Sequence, residues 1–134
     1  MRKARARRLE LRWLAEPLAV CWLPAKSPLP VWTGGGDFFS LTRARGELSV
    51  VGPYARVPRG VRRQGPFRAL RVKGPLAFSE VGIVASLTAL LAEARIPIFV
   101  LSTYKTDYLL VPQRHLHPAL RALRIAGHRI RRPR

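Results

Sequence analysis

Apolar and polar residues follow a regular pattern from residue 67 onward. Leu70 and Val72 alternate with Arg71 and Lys73, the period of a half-buried strand. Gly74-Pro75 ends it. Val81, Val84, Leu87, Leu91 and Ala94 then recur at three- and four-residue spacing, which predicts a helix over 79–94 with one apolar stripe. Ser79 is the expected N-cap, with Glu80 favourable to the helix dipole in the first turn. Pro97 forbids a long continuation. Residues 96–101 (IPIFVL) form a continuous apolar run, expected as a central strand covered on both faces. A polar turn is predicted over 102–106 and a strand over 108–111 (YLLV), closed by Pro112. Leu116, Leu120 and Leu123 share one helical face, and Gly127 suits the residue just past that helix. Residues 128–130 read as a last short strand. The order strand, helix, strand, strand, helix, strand is the split βαβ unit used twice, an α+β, ferredoxin-like arrangement. Four antiparallel strands would have one face covered by two helices.

The first half is punctuated differently. Residues 1–16 read as a basic, partly amphipathic lead-in that frays. Residues 18–23 (LAVCWL) suit a buried strand. Pro24, Pro28, Pro30 and Gly34-Gly35-Gly36 mark a loop. Residues 38–42 and 47–51 are strand-like, with a Gly46-containing turn between them. Five Pro and Gly residues make 53–66 irregular. Three strands without clear helices suggest a reduced copy of the C-terminal unit. The expected organisation is a basic segment at 1–16, an N-terminal half at 17–66, a C-terminal domain at 67–130 and a basic tail at 131–134.

Composition changes this picture little, and charge changes it more. With 134 residues and 48% hydrophobic content, one compact core or two small packed halves can form. No apolar run reaches the roughly 18 residues that span a bilayer. The basic start is followed by Arg12, Glu16 and Pro17, a poor secretory signal. A single cysteine, Cys21, excludes an internal disulfide and fits a reducing cytoplasm. The formal net charge of +18 points to nucleic acid as a partner class. Its distribution weakens that reading: residues 74–111 hold Arg95 and Lys105 against Glu80, Glu93 and Asp107, a net of −1. The cations flank the most strongly patterned segment.

Catalytic chemistry is thinly represented. His115 and His117 are two apart and would not share a helical face. Cys21 in an apolar strand reads as a small core residue. The glycine triplet lacks the Lys-Ser/Thr of a phosphate loop, and no carboxylates pair at a usable spacing. A non-enzymatic protein without metal or cofactor is expected.

Three stretches carry a resemblance. Gly74-Pro75-Leu76-Ala77-Phe78-Ser79 with Val81-Gly82-Ile83-Val84-Ala85-Ser86-Leu87 is one, and the run from Ile98 through Ser102-Thr103-Tyr104-Lys105-Thr106-Asp107 to Val111 is another. With 38–42 and 47–51, they resemble small bacterial ACT-domain proteins similar to the ACT modules of the cytosolic arginine sensor family. The likeness runs from about Leu18 to Ile130. It implies two ACT-like halves packed side by side, the first reduced, and a regulatory role in binding amino acids near the loop between first strand and first helix. Lys105 stands where that family often has an acidic or amide residue. A cation there disfavours a cationic ligand such as arginine and suits an anionic group.

The site so implied joins Leu76, Phe78, Ser79, Gly82 and Ile83 to Ser102, Thr103, Thr106 and Asp107. Unpaired amides at a helix start suit a carboxylate, and Asp107 suits an α-amino group. Gly82 would allow either a ligand or the sheet to approach closely. The hydroxyls of Ser102, Thr103 and Thr106 fit ligand contact or ordinary turn chemistry, while Tyr104 and Tyr108 read as packing residues. The expected function is small-molecule binding by a cytoplasmic regulatory protein, with a homodimer as the natural cover for exposed sheet edges. A basic nucleic-acid-binding ferredoxin-like protein and a ligand-free interaction scaffold are the alternatives.

Overall fold

The computed structural model describes residues 7–34, 36–77, 79 and 81–134. They form β1 (Glu10–Trp13), β2 (Leu18–Leu23), β3 (Ser40–Ala44), β4 (Glu47–Pro53), β5 (Arg62–Val72), α1 (Ile83–Glu93), β6 (Phe99–Ser102), β7 (Asp107–Pro112), α2 (Leu116–Ile125) and β8 (Arg129–Arg131). The chain divides into two compact units: residues 15–68, and residues 69–134 together with the N-terminal residues to 14. The class is α+β and the arrangement ferredoxin-like.

In the unit of residues 15–68, β4 pairs antiparallel with both β2 and β3. Ala44 faces Glu47, so Arg45-Gly46 is a two-residue turn, and Gly46 supplies the positive φ of 88° it needs. Residues 62–67 of β5 pair with β2. The stretch expected to be irregular therefore contains the first half of a strand. The pairing shifts register between Leu18 and Val20, which accommodates Pro66 in the strand despite its missing N–H. Gly65 is at φ 135°, and a Cβ there would lie 2.9 Å from the Leu18 carbonyl oxygen. Cys21 is buried with Ala19, Leu48, Val50 and Val57. Burial pushes its thiol pKa up, against the opposing charge of Arg63. A buried thiol kept protonated is a core residue and a poor nucleophile.

The other unit holds both helices. Residues 10–13, read from the sequence as part of a fraying lead-in, instead form β1, antiparallel to β5 and parallel to β8. Leu11, facing Val72 and Ile130, is fully buried, while Glu10 and Arg12 alternate with it. The strand period was present, but only four residues long in a basic stretch. β7 pairs with β5 and β6. The four expected strands are thus joined by a fifth. The roles within the hairpin also differ from expectation. Leu109, Leu110 and Val111 of β7 are fully buried, whereas β6 pairs only with β7 among the described strands and alternates between half-buried and exposed. The apolar run at 96–101 is therefore an edge, and the central strand covered on both faces is β7.

Both helices lie over one sheet face. Leu87 and Leu91 of α1, and Leu116, Ala119, Leu120 and Leu123 of α2, pack on Leu11, Leu70, Val72, Leu109 and Val111. The spacing along α2 is i, i+3, i+4, i+7, as a single buried stripe demands. In α1 the buried stripe is Ile83, Leu87 and Leu91, not the one running from Val81 to Ala94. Val81 precedes the helix and is 95% exposed.

The two helices end alike. After α2, His128 N–H donates to the Leu123 carbonyl and Gly127 N–H to Arg124, with Gly127 at φ 97°. After α1, Ile96 N–H donates to Leu91 and Arg95 N–H to Ala92, with Arg95 at φ 60°. This is the Schellman pattern, and its left-handed residue is normally glycine. A side chain in that conformation costs roughly 1–2 kcal/mol, and glycine returns part of the gain through the unfolded chain. Arg95→Gly is expected to raise the unfolding free energy by about 0.5–1 kcal/mol in urea denaturation. An unchanged or lower midpoint would contradict this account of the helix end.

His128 accepts a 3.0 Å hydrogen bond from the Leu9 amide at Nδ1 and is buried. Burial lowers its pKa below the usual 6.5, so the folded state holds the neutral ring. The unfolded chain then binds more protons between the two pKa values. The contribution of His128 to stability is therefore complete above pH 6.5 and is lost as pH falls from there through the folded value. Urea midpoints measured downward from pH 7.5 should decline through this window in the wild type and more shallowly in His128→Asn, which keeps an acceptor but cannot titrate.

Candidate functional site

The start of α1 is set by Gly82, which is its N-cap at φ 84°. A Cβ there would meet nothing within 4 Å. The glycine is thus required by its backbone angle, and close packing on the sheet is not the reason. Ser79, expected to cap the helix, is exposed and lies before it, and no side chain among the described residues caps α1. A left-handed residue cannot continue a helix, so the start moves to Ile83. Ile83, Val84 and Ala85 become the first-turn residues, whose amides have no partner within the helix.

Facing this end is the β6–β7 turn. Leu76 N–H donates to the Lys105 carbonyl at 2.7 Å, which ties the segment after β5 to the turn. Thr106 is buried, and its hydroxyl donates to the Val72 carbonyl at 2.6 Å. Thr103 N–H donates to the Thr106 carbonyl at 2.8 Å, the Thr103 hydroxyl reaches the same oxygen at 3.1 Å, and Thr106 N–H returns a bond to that hydroxyl at 3.3 Å. Ser102 Oγ donates to Asp107 Oδ1 at 2.6 Å. The three hydroxyls are therefore engaged in building the turn. Each carboxylate oxygen of Asp107 has two lone pairs, so one bond from Ser102 leaves it able to accept more.

The two segments enclose a cavity of about 310 Å³. Of the residues expected at a site, Leu76, Gly82, Ile83, Ser102, Thr103, Thr106 and Asp107 line it, and Ser79 does not. Phe78 lies outside the described residues. The sequence reading missed Val84 and Ala85, which line the cavity because the helix starts later than expected. The signal available was Gly82 itself, since glycine is acceptable at an N-cap. Tyr104, read as a packing residue, is 82% exposed and contributes to the wall with Lys105. The cavity thus offers a positive helix end and a lysine on one hand, and a carboxylate on the other.

A sequence model of the ACT domain matches residues 62–124, and a second one, of an N-terminal domain, matches residues 16–60. A solved structure of an Agobacterium tumefaciens protein is 37% identical, with a TM-score of 0.88 over 96% of each chain. The chain belongs to the ACT-domain family. More distant ACT-like folds extend the comparison. The regulatory subunit of aspartate kinase from Thermus flavus has a TM-score of 0.61 at 11% identity, over 90% of this chain and 99% of that one. A Vibrio cholerae protein described as a possible transport protein has a TM-score of 0.72 at 18% identity, over 89% and 90%. These two share the fold. Membership gives this ACT-domain chain a regulatory, small-molecule-binding role. No helix among the described residues is long and apolar enough to cross a membrane.

Proposed function

We infer that the protein is a non-catalytic amino-acid sensor, and that the zwitterionic head of its ligand occupies the cavity between α1 and the β6–β7 turn. One observation carries the reading: a helix start that no described side chain caps and an accepting carboxylate face each other across an open volume of about 310 Å³. The amides of Ile83, Val84 and Ala85 receive the α-carboxylate, where the helix end favours negative charge. Asp107, held by Ser102, receives the α-ammonium. Gly82, Leu76 and Thr103 shape the walls. The Lys105 ammonium favours a ligand whose side chain is neutral or acidic.

In this reading residues 67–130 are the sensing module and residues 17–66 its reduced companion. The exposed edge of β6 is the surface at which two copies would pair. Output follows if the ligand binds one packing arrangement better than another. The test is a thermal-shift and calorimetric screen of the full chain against the twenty amino acids. A ligand at 100 times its Kd stabilises by about 2.7 kcal/mol. A response from one or a few neutral or acidic amino acids is expected, and silence from all twenty rejects the proposal.

A further inference from the structure

The sheet face turned away from the helices, in the same unit, carries a second arrangement. Leu11, Val72 and Ile130 pack toward the helices, so alternation puts their neighbours on the other side. There Arg12 stands opposite Arg71 of β5 and opposite Arg131 of β8. Three arginines form one row across three adjacent strands, which are about 4.8 Å apart. Like charges directly opposite in a sheet destabilise it.

Glu10 offsets part of this charge. Its carboxylate accepts from Arg131 Nε at 3.2 Å and lies 3.6 Å from Lys73 Nζ. Burial acts to raise the Glu10 pKa, but the Arg131 hydrogen bond and the charges of Lys73 and Arg131 outweigh it and hold the group below the ordinary carboxylate range. Arg12 donates from Nη1 to the Arg132 carbonyl, which fixes the guanidinium without neutralising it. The result is a groove of about 310 Å³ whose described lining is Arg12, Arg71, Lys73, Arg131 and Arg134 together with Glu10 and Leu11.

We propose that this groove is a binding site for a compact, multiply charged phosphate compound, gripped by Arg12, Arg71 and Arg131. The planar guanidinium fork matches phosphate oxygens in pairs, and arginine dominates here over lysine. A row spanning roughly 10 Å accommodates two neighbouring phosphate groups. The bound anion removes the repulsion that the row otherwise imposes on the fold. A nucleic-acid strand fits less well, because no aromatic side chain among the described residues lines the groove to stack a base. The site is separate from the cavity at α1 and does not depend on that reading.

Calorimetry of the full chain with tripolyphosphate at about 150 mM salt tests it. Saturable one-to-one binding is expected, weakened at least about tenfold in Arg12→Gln/Arg71→Gln. Arg121→Gln/Arg124→Gln, which removes the same charge from α2, should change affinity by less than about twofold if the groove, and not the net charge, binds the anion. Without phosphate the groove variant should melt at a higher temperature than the wild type, an effect that a purely structural role for these arginines would reverse. If the double variant does not fold by circular dichroism, Arg71→Gln alone carries the same comparison. Absence of saturable binding, equal losses in both variant pairs, or tighter binding of a single-stranded oligothymidylate through the same arginines would each overturn the proposal.

Discussion

Replacing Leu87 with alanine is expected to lower the unfolding free energy by about 3 kcal/mol, within the range of roughly 2–5 for buried leucines. Leu87 sits in the middle of α1, is fully buried, and packs into the core shared by both helices and the sheet. The loss combines the transfer free energy of the removed methine and two methyl groups with the void they leave between α1 and the sheet. For a chain of this size the melting temperature should fall by roughly 10 °C. Val81→Ala is the matched comparison. Spacing alone puts Val81 and Leu87 on one stripe, but Val81 is 95% exposed, and its truncation should change stability by less than about 0.5 kcal/mol. Similar losses at both positions would mean that α1 begins earlier than Gly82.

The second large effect concerns recognition. Asp107→Asn should weaken binding of the amino acid found by the screen about thirtyfold, or about 2 kcal/mol, because a charge-assisted hydrogen bond to the ligand's ammonium becomes a neutral one. The asparagine oxygen can still accept from Ser102 Oγ, so the turn should persist and stability should change little. Calorimetric titration of the variant beside its melting curve separates the two effects. Wild-type affinity in Asp107→Asn removes the carboxylate from the proposed contact. A fall in stability as large as the fall in affinity would instead make Asp107 a structural residue of the turn.

The order of elements from residue 67 onward was legible because each carries its own period. Leu116, Leu120 and Leu123 share a helical face whatever packs on them, and Gly127 suits the end of α2 through its own backbone freedom. The segments at 76–83 and 102–107 could be singled out as a pair through resemblance to the ACT family. Their hydrogen-bonding could not be assigned. Whether the hydroxyls of Ser102, Thr103 and Thr106 face a ligand or close a turn depends on partners such as the Val72 carbonyl, 34 residues away.

By itself, the sequence determined the class, the two helices and the β6–β7 hairpin, since local periodicity and turn chemistry act over a few residues, while the neighbourhood of the cavity was implied by the family resemblance. Tertiary structure alone decided that residues 10–13 enter the sheet, that β7 and not β6 is enclosed, and that β5 begins at Arg62. It also decided that three arginines distant in sequence share one row. Each of these follows from strand pairing across long sequence separations, where register sets which side chains meet, and register is not written in any single segment.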